Sequence, residues 1–358
     1  MKIKNMFNHA ILLGSILLLS SSAFAGNGDR VGSAGATELL INPWARGIGI
    51  GDAGVASNIG LAATYTNIAG LAFTPKTEIM FDRTNWLGGT GINMNAAGLA
   101  QRINESTVFA VTIVSMTFGD IDITTVNQPE GGIGQFTPRY NNFNIGIAHE
   151  FSKSIYAGMN LKVISESISN IRGSGIGLDF GIRYVTGEQD NIKFGITLKN
   201  VGPTMNYSGD GLAKLILYPE TGELATLEQR ANAFELPSLL TVGGAYDFNF
   251  TDVDKLTISG AFSANSFSYD QLKLGADYGK EIGQAAFHIS AGYIYERGVF
   301  SRDFVIDGRA TALNGLTAGL SVDAIVGENK NNLGIQYAYR TVSKFNGIHT
   351  IGLAISLK

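Results

Sequence analysis

From residue 142 to residue 357 the chain is a succession of segments in which every second residue is apolar. Ile192, Phe194, Ile196 and Leu198 interleave with Lys193, Gly195, Thr197 and Lys199. Leu272, Leu274, Ala276 and Tyr278 interleave with Lys273, Gly275, Asp277 and Gly279. The pattern closes the chain, with Ile351, Leu353, Ile355 and Leu357 set against Thr350, Gly352, Ala354 and Ser356. A period of two places alternate side chains on opposite faces of a strand. Repeated segments of about ten such residues, separated by turns, are the signature of a transmembrane β-barrel. Past residue 25 no run approaches the ~18 uninterrupted apolar residues that a membrane-spanning helix needs.

The pattern predicts an all-β, antiparallel barrel of about fourteen strands, over 77–86, 90–102, 106–118, 140–151, 154–168, 174–186, 191–200, 238–248, 255–264, 270–280, 284–296, 314–326, 331–341 and 347–357. The gaps supply an independent test. Every even-numbered connection is short, among them Asn104-Glu105, Ser152-Lys153 and Glu281-Ile282-Gly283. The long gaps, 119–139, 201–237 and 297–313, follow strands three, seven and eleven and so open on one side. Outer-membrane barrels have short periplasmic turns and longer extracellular loops, whereas a soluble barrel has no reason to sort loop length by parity.

The same alternation assigns the faces. Phe143, Ile145, Ile147 and Phe151 point outward from one strand, Ile176, Leu178, Phe180, Ile182 and Tyr184 from another, and Phe287, Ile289, Tyr293, Tyr295, Leu316, Leu320 and Val322 from two more. The inward set holds Asn160, Lys162, Asp179, Arg183, Lys193, Asp247, Lys273, Asp277, His288, Glu296, Asp323 and Arg340. Reversing the faces would put these charges into lipid, at ~2–4 kcal/mol for each Arg or Lys near the midplane. The inward charges read as a mutually satisfying network in preference to a solute path. The third strand, apolar on both faces from Val108 to Phe118, is the one place where a greasy pocket would begin.

Residues 1–25 read as a secretory signal: Lys2 and Lys4, then the apolar run Ile11–Leu19, then Ala23-Phe24-Ala25. Removing its two basic residues leaves 24 basic against 30 acidic, a net charge of −6, which gives no argument for nucleic-acid binding. There is no Cys, so no disulfide contributes to the fold. Pro numbers only 7 in the chain, and no Pro-rich joint divides it. Residues 77–358 therefore form one barrel domain. The polar, Gly-rich stretch 26–76 is too long for a tail, and a fourteen-strand lumen is wider than side chains fill; it is expected to fold inside as a hatch.

The hatch carries the motif Asn42-Pro43-Trp44-Ala45-Arg46-Gly47-Ile48-Gly49-Ile50-Gly51-Asp52-Ala53-Gly54-Val55-Ala56, followed by Asn67-Ile68-Ala69-Gly70-Leu71-Ala72. Asn200-Val201-Gly202-Pro203 and Leu236-Pro237-Ser238 bracket the longest loop. Together these resemble the PorV/PorQ-type outer-membrane proteins, across essentially the whole chain after the signal; Ile68 stands where that family usually has Pro. The resemblance implies a barrel similar to the FadL long-chain fatty-acid transporters and an association with the type IX secretion system of the Bacteroidota. It implies partners in that system's translocon and in the C-terminal domains of its cargo, together with the surrounding outer-membrane lipid. It also marks Arg46, Gly47, Gly49, Gly51, Gly54, Asn67 and Gly70 as the hatch motif.

Gly49-Ile50-Gly51-Asp52-Ala53-Gly54 formally matches a dinucleotide fingerprint, but no βαβ unit surrounds it. It is better read as a tight turn in which small residues pass close to the wall. The four His, at 9, 149, 288 and 349, show no metal-ligand spacing. No cofactor, metal or catalytic centre is expected. Arg46 is a candidate latch against an inward acid such as Asp179, Asp277 or Asp323. In the loop 201–237, Leu215, Ile216, Leu217 and Tyr218 precede an acidic stretch and mark a lid or a partner surface. The sequence thus favours a partner-binding barrel of the secretion system. The alternative is a FadL-like transporter of long-chain fatty acids or other hydrophobic small molecules, held in the lumen.

Overall fold

The computed structural model describes residues 26–220, 222–297, 311, 313–327, 331–342 and 345–357. The expected signal at 1–25 and most of the third long loop lie outside the described residues.

Fourteen antiparallel strands form a closed wall: β1 (Thr77–Asn85), β2 (Asn93–Arg102), β3 (Thr107–Thr117), β4 (Arg139–Ser152), β5 (Ile155–Ile168), β6 (Ile171–Thr186), β7 (Ile192–Val201), β8 (Leu239–Asn249), β9 (Asp254–Asn265), β10 (Gln271–Ile282), β11 (Ala285–Glu296), β12 (Gly315–Val326), β13 (Asn331–Arg340) and β14 (Ile348–Leu357). Each strand pairs with its sequence neighbours, and β1 closes on β14 in a register running from Thr77 opposite Leu357 to Asn85 opposite His349. No wall strand is left with an unpaired edge of the kind that invites aggregation.

Side chains alternate as the period-two pattern requires. On β6, Ile182 is 55% exposed while Arg183 beside it is 2% exposed. Phe143, Ile145, Ile147, Phe180, Ile289, Leu316 and Leu320 all lie on the outer surface. An apolar belt of this extent, on a wall whose backbone groups are satisfied between strands, is the construction that hydrocarbon demands. Among the described residues no helix is long and apolar enough to cross a membrane.

Inside, the segment before β1 folds into short helical pieces, chiefly α1 (Ala45–Gly49), α2 (Ala63–Thr66) and a 3-10 stretch over Ile68–Phe73. Their apolar residues are almost wholly buried: Trp44 is 1% exposed and Leu61 and Leu71 are 0% exposed. They pack on Met80, Met94, Val108, Val114, Met116, Tyr140 and Ile164, inward residues of β1 to β5. The inward apolar face of β3 is thus covered by the N-terminal segment, leaving a cavity of only about 30 Å3 beside Trp44 and Val114. Nearly all the inward charges lie round the rest of the ring, from Lys162 on β5 to Arg340 on β13. The bore has an apolar side and a charged side.

Among the described parts of the long connections, two small ribbons stand out. Ile121–Asp122 pairs with Gln135–Phe136, and Ala213–Leu217 pairs with Leu224–Glu228. Asn206–Ser208 adds to the end of β6 that runs past β7.

Candidate functional site: the stoppered bore

Part of the N-terminal segment lies with its backbone close against wall glycines. A Cβ on Gly49 would stand 3.1 Å from the Gly319 Cα, and one on Gly292 would stand 2.3 Å from the Gly51 nitrogen. Gly51 also has φ +65°, a left-handed conformation that costs a Cβ-bearing residue strain. These contacts let α1 lie directly on β11 and β12. Gly47, Gly54 and Gly70 serve packing within the segment: a Cβ on them would meet Asn42 at 2.4 Å, Asn58 at 2.4 Å and the Asn58 carbonyl oxygen at 2.3 Å. The Gly-rich motif is therefore a close-packing device in an all-β protein.

Polar groups then pin the segment in place. Arg46 Nη2 donates to Asp323 Oδ2 at 2.8 Å, so of the three candidate acids the geometry selects Asp323. Asp179 instead pairs with Lys162 at 2.7 Å, and Asp277 with His288 at 3.1 Å. Arg340 reaches in from β13 to Asp52 at 2.5 Å, and Asn42 Nδ2 donates to the other Asp52 oxygen at 2.7 Å. Asn67 Nδ2 donates to the Val55 and Ile182 carbonyls while its Oδ1 accepts from the Ala69 N–H, so one side chain caps a turn and fastens it to β6. Arg183 donates to the Asn58 carbonyl at 2.8 Å and stacks 4.2 Å from the Phe73 ring centroid. The Ala45 N–H donates to Asp82 and the Leu61 N–H to Glu78, both on β1.

The wall has its own network. Lys193 pairs closely with Asp247. Asn200, at φ +58°, accepts from Lys162, donates its backbone N–H to Asp179 and its amide to the Pro237 carbonyl. The two motifs bracketing the longest loop are thereby tied to each other at its base. Asp52 with Asn42, and Lys199, were not singled out as site residues from the sequence. Lys199 shares the parity of Lys193, which is signal enough to place it inward; a ten-residue separation between Asn42 and Asp52 carries no such signal.

Among the described residues, cavities border the stopper at several places. One of about 190 Å3 lies beside the Arg46–Asp323 pair and is also lined by Ile59, Phe73 and Gly334. One of about 70 Å3 lies beside Asp52 and Arg340, and another is the small one at Trp44. Tyr65 lines both of these last two; its hydroxyl donates to the Leu40 carbonyl at 2.5 Å, and the Lys199 ammonium sits 3.5 Å above its ring. In the loop ribbon, Leu215, Leu217 and Leu224 share one face and are 59–65% exposed, with Tyr218 exposed and Ile216 half-buried beside them. Among the described residues no cluster of three or more metal-ligating side chains is present.

A closed fourteen-strand antiparallel wall with a folded N-terminal segment in its bore is a FadL-like outer-membrane barrel fold. The chain is similar in fold to solved outer-membrane channels. A deletion mutant of the TodX monoaromatic hydrocarbon channel matches with a TM-score of 0.53 at 11% identity, over 87% of this chain and 97% of that one. The CymD monoaromatic hydrocarbon channel matches with 0.50 at 14% identity, over 92% and 98%. A FadL homologue from Pseudomonas aeruginosa matches with 0.50 at 12% identity, over 87% and 96%. No protein-family model and no curated protein sequence matches the chain.

Proposed function

We propose that this chain is an outer-membrane channel of FadL-like build that carries small hydrophobic molecules past its N-terminal stopper. This gives more weight to transport than the sequence motifs alone suggest. The observation that carries it is the stopper's fastening. The partly exposed Arg46–Asp323 ion pair joins the stopper to β12 at the edge of a 190 Å3 cavity, on the side of the segment where backbone lies against wall glycines. Small movements of such a segment would join neighbouring cavities without breaking the wall. The similarity to hydrocarbon channels supports this reading. In it, residues 1–25 are a cleaved export signal and the bacterial outer membrane is the destination. The test is uptake of a radiolabelled long-chain fatty acid and of toluene by host cells lacking their own fatty-acid channel. Uptake above the empty-vector level supports the proposal; vector-level uptake of both, with the barrel correctly inserted, rejects it.

A second reading is favoured by the exposed apolar face of Leu215, Leu217 and Leu224. Under it, the chain is a PorV/PorQ-type barrel that binds the type IX translocon or its cargo through that ribbon. Recovery of a very large β-barrel pore or of secreted cargo with a tagged copy from native envelopes in mild detergent, lost on Leu217→Asp, supports it. Recovery of the barrel alone rejects it.

A further inference from the structure

We propose that the 70 Å3 cavity on the charged side of the bore is a binding site for one compact oxyanion, of the size of phosphate or a short carboxylate. The cavity lies between the stopper and β7 to β13, and Lys199, Lys273, Arg340 and Asp52 line it. Three cations line it against one carboxylate. Arg340 is matched by Asp52 at 2.5 Å, and the neighbouring Lys162 by Asp179 at 2.7 Å. Among the described residues neither Lys199 nor Lys273 has a carboxylate within ion-pair distance or an acceptor within hydrogen-bond distance. Lys199 is 4% exposed and its ammonium meets only the Tyr65 ring.

An ammonium carries three donors and no acceptor. Burying one without an acceptor or counter-charge is strongly unfavourable. Lys199, buried, and Lys273, half-buried, on one cavity are a standing demand for negative charge. Among the described residues none of the other polar groups lining it accepts a hydrogen bond from either ammonium, and several are bonded to other partners. Thr241 bonds Ser263, Asn265 donates to the Tyr269 carbonyl, and Gln271 donates to Glu296. The volume sets the size of the guest. A cavity of about 70 Å3 has room for a small oxyanion. The site is defined by its charged lining, and its existence does not depend on transport. An anion there would bridge β7 and β10 beneath Tyr65 and brace the stopper against the wall.

The test uses the full barrel, purified in detergent, with sodium phosphate and sodium acetate each titrated against ionic-strength-matched sodium chloride. The thermal midpoint is expected to rise saturably with at least one of the two, and which one responds assigns the anion class. In K199M the apparent affinity should fall about tenfold or more, the loss of one charged hydrogen-bonded contact, and in K199M/K273M the response should vanish. K199M should also be no less stable than wild type in anion-free buffer, because it removes an uncompensated charge. Absence of a saturable rise in the wild type, or the same rise in the double variant, overturns the proposal; the cavity then holds water only. Should the variants fail to refold, equilibrium dialysis of the wild type with 32P-phosphate and 14C-acetate decides. Saturable binding of one anion per barrel upholds the site, and its absence removes it.

Discussion

Arg46 and Asp323, 277 positions apart in sequence, meet at 2.8 Å and join the stopper to β12 beside a cavity. The pair is partly exposed, at 34% and 18%, so its contribution to stability is small, ~0–1 kcal/mol. Its effect on the bore is expected to be larger. Arg46→Ala and Asp323→Asn should each leave the thermal midpoint nearly unchanged yet raise single-channel conductance events in planar bilayers. A double variant no more open than either single one would mark them as one latch. Silent traces for all three would assign the pair a purely structural role.

The Arg340–Asp52 pair is expected to behave in the opposite way. Both side chains are buried, at 3% and 7% exposure. Removing one partner strands the other, so Arg340→Met should destabilise the folded barrel by ~3–5 kcal/mol, while Arg340→Met with Asp52→Asn should recover most of that loss. Urea midpoints read by heat-modifiable gel mobility would measure both.

Acid should loosen the same contact. Burial by itself raises the Asp52 carboxyl, but Arg340, Lys273 and the Asn42 amide together outweigh it and hold the group below its ordinary range. A depressed carboxylate contributes its full stabilisation above the unfolded value of about 3.9 and loses it as the pH falls through the lower folded value. Stability is therefore expected to drop below about pH 4, and less steeply in Asp52→Asn. Glu38 works with the reverse sign: burial and the nearby Glu166 raise it despite a backbone hydrogen bond. Its ionisation on going from acid towards neutral pH therefore costs stability, and Glu38→Gln should remove that component.

Gly292→Ala tests the close approach of stopper and wall. The added methyl would stand 2.3 Å from a backbone nitrogen of Gly51, and backbone cannot rotate away as a side chain can. Overpacking of this kind costs ~1–3 kcal/mol. The expected signature is faster hydrogen exchange over residues 45–56 with the strands unchanged; protection equal to wild type would show that the contact has slack.

The ribbon faces provide a contrast. Leu217→Asp and Leu224→Asp alter exposed residues that pair only with each other across the ribbon. The barrel's midpoint should move by no more than ~0.5 kcal/mol. A larger shift would show the ribbon to be part of the barrel's own packing.

Much of this architecture is legible in the chain because a wall between lipid and lumen must alternate. The strand expected at 191–200 is Ile192–Val201, and that expected at 270–280 is Gln271–Ile282. β6 begins earlier than expected, at Ile171 and not at 174, because Arg172 and Ser174 occupy outward positions where the alternation otherwise has apolar residues. The stopper is less legible. Its place against the wall is set by backbone lying on glycine, which has no period, so Arg46 faced three candidate aspartates in sequence and one in space. The apolar inward face of β3 looked like the start of a pocket. Trp44, Leu61 and their neighbours fill it, and only the fold shows which of the two a greasy inner face becomes.

The stopper's attachment to β1 also constrains how the molecule is made. Asp82 and Glu78, which receive the Ala45 and Leu61 amides, belong to the strand that seals the ring against β14. The same strand therefore joins the two ends of the wall and anchors the contents of the bore. A barrel shorn of residues 26–76 would carry two unanswered carboxylates on the strand that makes its seam, so the stopper and the seam are expected to depend on each other during assembly.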